Sequence, residues 1–245
     1  MKKMLSLSVI LFCCNFIFAQ QIPKNKIENK KVFCGLSLGP TVDWFVPTVE
    51  DISRENVKGG FFAGVNLDIN IKGGFLYFST GAAVRYLQTG LSFCNQYDFS
   101  MITAKDTAWI LPTVRTYQTT YLTIPTGIKF RTKPIAGCVF VGKAGLYHNF
   151  KLGGEQFDNF ELPGADPKYF VSTKRVKNTD AALFAESGYL GLGFEYHFKQ
   201  GIRVFANADY SCQFNYFSSK AKSNVSEVQF RSLVHSLHIV FGVLF

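Results

Sequence analysis

The residues best suited to chemistry lie near the end of the chain, where two histidines surround a serine. His235, Ser236 and His238 fall within one short stretch, and Glu195 and His197 share an earlier one. A serine hydroxyl that donates to an imidazole, itself held by a carboxylate, is an activated nucleophile for attack on an ester carbonyl. These five side chains could therefore transfer or release an acyl group if the fold brought them together.

Adjacent positions on a strand argue against that arrangement. Neighbouring side chains of a β-strand point to opposite faces, so His235 and Ser236 do not readily share a hydrogen bond. Ser236 then lacks a base, and His235 is interpreted as a rim residue at the extracellular start of the last strand. We therefore expect no catalytic residues and no enzymatic activity.

The segments that carry these residues have the two-residue alternation of β-strands. The clearest is 59–71, where apolar and largely polar side chains alternate. The last segment, 233–245, carries a row of bulky residues on one face that ends on an aromatic side chain: Leu237, Ile239, Phe241, Val243 and Phe245. In a transmembrane barrel such a row meets lipid, and pairing of the last strand with the first leaves no free edge.

Eight such segments can be counted, and their connections alternate between long and short. The predicted strands are 32–45, 59–71, 75–93, 116–132, 136–150, 182–198, 202–217 and 233–245, with a local bulge expected at Pro125 because proline cannot donate to the ladder. Short periplasmic turns and long extracellular loops are typical of outer-membrane barrels. We predict an all-β fold, an eight-stranded antiparallel up-and-down transmembrane β-barrel over residues 32–245. The alternative is a soluble β-sandwich or lipocalin-like barrel with a buried closing strand.

The polar faces of these strands carry charges that a barrel would enclose. An eight-stranded barrel is just wide enough to be filled by its own side chains, so enclosed charges should pair with one another. The predicted lumen network, to which we assign a structural role, consists of Asp68, Arg85, Lys129, Lys143, Glu195, His197 and Asp209. Asp68, Lys129, Glu195 and His197 are expected toward the periplasmic half, and the others higher.

The first residues have the pattern of a secretory signal. Lys2 and Lys3 precede a mostly apolar run, and Ala19 is a small residue suited to the position before cleavage. We predict a signal peptide at 1–20, a polar periplasmic tail at 21–31, and export across the inner membrane. Cys34, Cys94, Cys138 and Cys212 are too widely spaced to predict a metal site, and no cofactor is expected.

One segment of the predicted fourth strand carries a family resemblance. Tyr121-Leu122-Thr123-Ile124-Pro125, followed by Gly127 and Lys129, resembles the Y-L-x-I-P signature of PorT-type outer-membrane β-barrels, which are common in Bacteroidota. The resemblance implies a small barrel of the OmpX/OmpA kind in the cell outer membrane. Most members of that family have no assigned activity, and the part that one namesake plays in type IX secretion does not transfer on fold alone.

The terminal strand and the long loops indicate partners. Phe241, Val243 and the aromatic end at Phe245 resemble the signal by which the barrel assembly machinery recognises its substrates. The basic run 174–177 could contact lipopolysaccharide phosphates, and loops 94–115 and 151–181 are long enough to bind a protein partner. Nucleic acid is not expected as a partner. We predict a non-enzymatic PorT-like barrel with a structural or binding role, with a lipid A-modifying barrel enzyme or a small passive pore as alternatives.

Overall fold

The segments with alternating side chains form long strands, and the sheet that they build closes on itself. The computed structural model describes residues 31–48, 52–93, 101–104, 107–110, 113–135, 138–161, 170–172, 174–198, 201–222 and 227–245. Residues 1–30, which hold the predicted signal peptide, and Cys94 lie outside this description. Within the described part, no helix is long and apolar enough to cross a bilayer.

The described strands, in chain order, are β1 (Val32–Pro47), β2 (Ile52–Arg54), β3 (Lys58–Lys72), β4 (Leu76–Phe93), β5 (Met101–Ala104), β6 (Thr107–Ile110), β7 (Thr113–Arg131), β8 (Cys138–Glu161), β9 (Phe170–Ser172), β10 (Val176–Lys177), β11 (Phe184–His197), β12 (Arg203–Gln213), β13 (Ser218–Lys222) and β14 (Glu227–Leu244). Eight of them form the barrel in the order β1-β3-β4-β7-β8-β11-β12-β14, with every neighbouring pair antiparallel. β14 pairs back onto β1, from Gly35 opposite Leu244 to Pro47 opposite Ser232, and closes the cylinder. The predicted eight-stranded barrel is confirmed.

The two faces of each barrel strand meet different surroundings. Along β1 and β12, buried and exposed side chains alternate almost without interruption. Large apolar side chains on the outer face are exposed; Leu192 is 75% and Val65 51% exposed. The outer face of an outer-membrane barrel is apolar because lipid covers it, and these exposed side chains match that pattern.

The barrel strands are joined at one end by tight turns. Between β3 and β4 the turn uses Gly73 and Gly74, whose φ angles of +58° and +74° favour glycine. The connections at the opposite end are longer, and the structure corrects their predicted extent. Much of the predicted loop 151–181 is strand, because β8 continues to Glu161 and pairs with β9 and β10. The predicted loop 94–115 likewise contains the β5–β6 hairpin and the first residues of β7.

The bulge predicted at Pro125 is wrong. Pro125 lies opposite Tyr147, and the β7–β8 register continues unbroken on both sides of it. The register shifts instead where Thr120 faces Gly153 and Tyr121 faces Lys151, which leaves Leu152 unmatched. Next to Pro125 the ladder to β4 has no paired residues between Thr126 and Thr123, so the missing N–H is accommodated by a local gap rather than by an extra residue.

β7 and β8 are the longest of the described strands. β7 has 19 residues and β8 has 24, against 11 in β12. At about 3.3 Å per residue and a tilt of about 40°, roughly ten residues cross the apolar band, so the far ends of β7 and β8 stand outside the membrane. We call this extension, residues 113–120 of β7 and 151–161 of β8, the collar.

Candidate functional site

The end of the lumen beside the tight turns, which is predicted to be periplasmic, is filled by a group of charged side chains that we call the lower network: Asp68, Lys129, Arg131, Glu195 and Arg203. They come from β3, β7, β11 and β12, and all five are buried. Lys129 Nζ lies 2.7 Å from Asp68, and Arg131 Nη2 lies 2.9 Å from both Asp68 and Glu195. Each carboxylate therefore has two cationic partners, which offsets the cost of removing it from water.

Aromatic rings pack against the guanidinium groups of the lower network. The guanidinium of Arg131 lies 3.9 Å from the ring centroid of Tyr77, and that of Arg203 lies 3.8 Å from the ring of Phe33. Cation–π contact of this kind stabilises a buried guanidinium. His197 lies at the edge of the network, with Nε2 3.4 Å from Glu195. The periplasmic opening is thus packed with side chains.

Two further ion pairs lie higher in the lumen. Lys143 contacts Asp209 at 2.7 Å, and Arg85 contacts Asp43 at 2.7 Å. Ser236 also contacts the Arg85 guanidinium. Between the lower network and the Lys143 pair lies a cavity of about 40 Å³, which is room for a few water molecules.

The predicted lumen residues are thus distributed over separate groups. The structure brings Asp68, Lys129 and Glu195 together, with His197 beside them, and joins Lys143 to Asp209. Arg85 is separate and is paired with Asp43, which the sequence prediction missed. The alternation of β1 was the available signal, because Asp43 shares a face with Gly35, Ser37 and Gly39.

The opposite opening, which is predicted to be extracellular, is filled by apolar side chains that we call the mouth cluster: Phe45, Ile52, Leu87, Leu91, Phe93, Tyr117, Tyr121, Ala181, Phe217 and Val234. Three of the rings contact one another, with centroid distances of 4.9 Å for Phe45–Phe217, 5.8 Å for Phe45–Tyr117 and 5.4 Å for Tyr117–Phe217. An apolar layer at this level excludes water from the top of the lumen.

The last residues of the predicted loop 151–181 and the first residues of the predicted strand after it fold over this opening. Residues 178–183, which we call the strap, lie opposite the shorter stretch 151–154 of β8, because Asn178 N donates to Gly154 O and Lys151 N donates to Leu183 O. The extra residues bend inward. Asn178 is 1% exposed, its side chain donates to Thr119 at 3.0 Å, and its amide oxygen accepts from the backbone N–H groups of Asp180 and Ala181.

An arginine of the collar ties the strap to the barrel wall. Arg115 lies 2.6 Å from Asp158 of β8 and 3.1 Å from Asp180 of the strap. Burial alone would lower the pKa of Arg115, but hydrogen bonds to Asp158 and the charges of Asp158 and Asp180 hold that pKa above its usual value. Arg115 therefore remains charged and bridges the two carboxylates.

The basic run lies on the outside of the collar. Lys174, Arg175 and Lys177 are all exposed, and β10 fixes the end of the run against β8. Arg175 lies over the ring of Phe157 at 5.3 Å and 3.6 Å from Glu155. Lys177 is therefore held on a strand, and Lys174 and Arg175 directly precede that strand.

The serine–histidine set does not converge. Ser236 and His238 are buried in the lumen, whereas His235 lies on the outer face beside Tyr210, whose hydroxyl is 2.6 Å from its Nδ1. His238 Nε2 lies 3.2 Å from Ser211, and Glu195 belongs to the lower network. The described residues hold no group of three or more His, Cys, Asp or Glu side chains that could bind a metal ion.

Comparison with known proteins identifies the fold family. A family model described as "Outer membrane protein beta-barrel domain" matches residues 18–215. No curated protein matches in sequence. Among solved structures, the attachment invasion locus protein Ail of Yersinia pestis is 13% identical over 88% of this chain and 100% of its own, with a TM-score of 0.35. Neisserial surface protein A is 13% identical over 88% and 98%, with 0.38. The outer membrane protease OmpT of Escherichia coli is 9% identical over 88% and 96%, with 0.39.

Proposed function

The chain belongs to the outer-membrane protein β-barrel family and lies in the cell outer membrane, and on this basis we propose that it is a PorT-like barrel whose collar binds the head groups of surrounding lipopolysaccharide. The role is a binding and structural one. The observation that supports it most directly is the exposed basic run Lys174, Arg175 and Lys177, held by β10 on the outer side of the collar.

The positive charge of the basic run favours lipopolysaccharide as the molecule bound at the collar. Lipopolysaccharide carries phosphate groups outside the apolar band, and each Lys or Arg near an anionic membrane surface contributes about 1 kcal/mol to binding. The pairing of Arg175 with Glu155 is exposed and long, so it competes weakly with a phosphate.

The lumen supports a closed barrel rather than a pore. The lower network fills the periplasmic end and the mouth cluster with the strap fills the other, and the cavity between them is about 40 Å³. Planar-bilayer recordings should therefore show no steady conductance. A stable open channel would instead support the alternative of a small passive pore.

Several predictions from the sequence complete the proposal. Residues 1–20 act as the signal peptide and 21–31 as a periplasmic tail. Phe241, Val243 and Phe245 act as the assembly signal, with Phe241 and Val243 on the outer face of β14. The predicted loops 94–115 and 151–181 are the surfaces for a protein partner. A lipid A-modifying enzyme built on Ser236 and Glu195 is disfavoured, because each is held in a different lumen cluster.

The test measures lipopolysaccharide binding by the purified full chain in lipid nanodiscs. Replacing Lys174, Arg175 and Lys177 by alanine should weaken binding by up to about a hundredfold at low salt, from about 1 kcal/mol per charge. The matched control removes three exposed lysines near the tight turns, Lys31, Lys72 and Lys133, and should bind as the wild type does. Equal affinity of the two triple variants would overturn the proposal.

A further inference from the structure

The outer wall carries three polar side chains in mutual contact on neighbouring strands. Thr126 of β7, His148 of β8 and Glu186 of β11 all lie on the outward-facing side. His148 Nδ1 is 3.0 Å from Glu186 Oε1, and His148 Nε2 is 3.0 Å from Thr126 Oγ1. The barrel register sets this geometry, because Glu186 is directly opposite His148 and Thr126 is opposite Leu146, two positions along β8.

Along the strands, large apolar side chains lie on both sides of the trio. On its extracellular side, Phe150 and Phe184 pack together with ring centroids 5.1 Å apart. On its periplasmic side lie Leu146 and Leu190, which are 37% and 66% exposed to the barrel exterior. His148 and Glu186 are themselves 26% and 40% exposed. A molecule in the outer leaflet can therefore reach them.

The height of the trio coincides with the ester linkages of the outer leaflet. His148 is about ten residues above the start of β8, which at about 3.3 Å per residue and a tilt of about 40° places it about 25 Å above the periplasmic turns. The apolar band is about 25 Å tall, so this is its outer boundary. Acyl chains of lipids are joined to their head groups at that boundary.

An ionisable pair on a lipid-facing wall requires an explanation. Exposing polar or charged groups to hydrocarbon is costly, and ionisable residues at membrane depth usually mark functional sites. Mutual hydrogen bonding lowers that cost, but apolar residues at the same positions would avoid it. A hydroxyl at hydrogen-bond distance from an imidazole, whose other nitrogen faces a carboxylate, is the arrangement of an activated nucleophile, its base and the group that orients the base.

We propose that Thr126, His148 and Glu186 form a site that hydrolyses carboxylic esters of outer-leaflet lipids. Thr126 Oγ attacks the ester carbonyl carbon while its proton passes to His148 Nε2. The carbon–oxygen bond to the lipid breaks, and the imidazolium returns the proton to the departing alcohol. Water then attacks the threonine ester with His148 as base, which releases a fatty acid and restores the hydroxyl. Glu186 accepts the Nδ1–H hydrogen bond and positions the ring. This activity is separate from the binding role of the collar.

The test uses the full chain in vesicles, with fatty-acid release followed by mass spectrometry. One set of vesicles contains phosphatidylethanolamine alone and the other also contains lipid A, so that the two sources of ester are distinguished. Thr126→Val or His148→Gln should lower release at least a hundredfold, and Thr126→Ser should retain it. Thr80→Val is the matched control, because Thr80 is directly opposite Thr126 on β4 and should leave release unchanged. No release by the wild type from either vesicle, or equal release by Thr126→Val, overturns the proposal.

Glu186 is tested as a positioning residue. Glu186→Gln should lower kcat at least tenfold with little change in KM, because the glutamine places the ring without matching the charge that develops on it. Unchanged kcat would show that Glu186 has no such role. The triple alanine variant of the basic run should hydrolyse phosphatidylethanolamine as the wild type does, so failure of lipopolysaccharide binding and failure of hydrolysis are separable outcomes.

Discussion

The two ends of the lumen are closed by opposite kinds of chemistry. The lower network closes the periplasmic end with buried ion pairs and stacked guanidinium groups, whereas the mouth cluster closes the extracellular end with packed rings and the strap. Ion pairs in a narrow lumen fix a single arrangement, because each charge must keep its partner. The mouth depends on a chain segment that packs from above, and such a segment can open locally while the barrel stays folded. We therefore expect the end closed by the lower network to be rigid and the end closed by the mouth cluster to open locally.

The largest effect should follow from removing one carboxylate of the lower network. Glu195→Ala leaves Lys129 and Arg131 with Asp68 as their shared carboxylate, and breaking a buried pair in this way costs about 3–5 kcal/mol. The free energy of unfolding, measured by urea titration in lipid vesicles, should fall by that amount. The control is Glu155→Ala, since Glu155 is 54% exposed. A loss below about 1 kcal/mol would mean that the network adds no rigidity.

A smaller effect is expected where both partners of a lumen pair are replaced. Lys143→Met or Asp209→Leu alone should cost about 3 kcal/mol of unfolding free energy, the lower end of the range for a broken buried pair, because each leaves a buried charge without its partner. The double variant should come within about 1 kcal/mol of the wild type, since apolar residues of similar volume need no pairing. Simple addition of the two single costs would contradict this account.

Loss of the Asn178 side chain should destabilise the strap and leave the rest of the barrel unchanged. Asn178→Ala removes the hydrogen bond to Thr119 and the acceptor for two backbone N–H groups, a loss of about 1–3 kcal/mol. Hydrogen exchange of the amides of 151–154 should accelerate, while exchange in β12 stays as in the wild type. Thr179→Ala serves as the control, because Thr179 is an exposed neighbour. Equal acceleration throughout the barrel would show that the mouth and the base open together.

The smallest effect belongs to the collar surface. Glu155→Gln removes the partner of Arg175, but both side chains are more than half exposed, so the free energy of unfolding should change by less than about 0.5 kcal/mol. The same variant should bind lipopolysaccharide slightly more tightly, because Arg175 loses a competing carboxylate. Weaker binding would indicate that Glu155 itself contacts the ligand.

The face of the barrel wall on which each side chain lies could be predicted, because the alternation of apolar and polar residues is a local property of each strand. The side chains of Val65, Leu192 and Phe241 could be assigned to the outer face from their own strands alone. The same alternation placed Asp68, Lys129 and Glu195 inside. The extent of β8 was missed, because its outer part lacks an apolar lipid-facing row: above the band both faces meet water or the strap, and the alternating pattern disappears.

The side of the barrel wall that each strand residue occupies follows from the sequence, because a two-residue period is visible without knowing the neighbouring strands. The contacts between residues of different strands became visible in the folded barrel. The pairing of Arg85 with Asp43, the inward bend at Asn178, and the contact of Thr126 with His148 and Glu186 depend on the register between strands and on distances across the lumen. Register is fixed by the whole closed sheet, because a shift of one residue would turn every side chain of a strand to the other face.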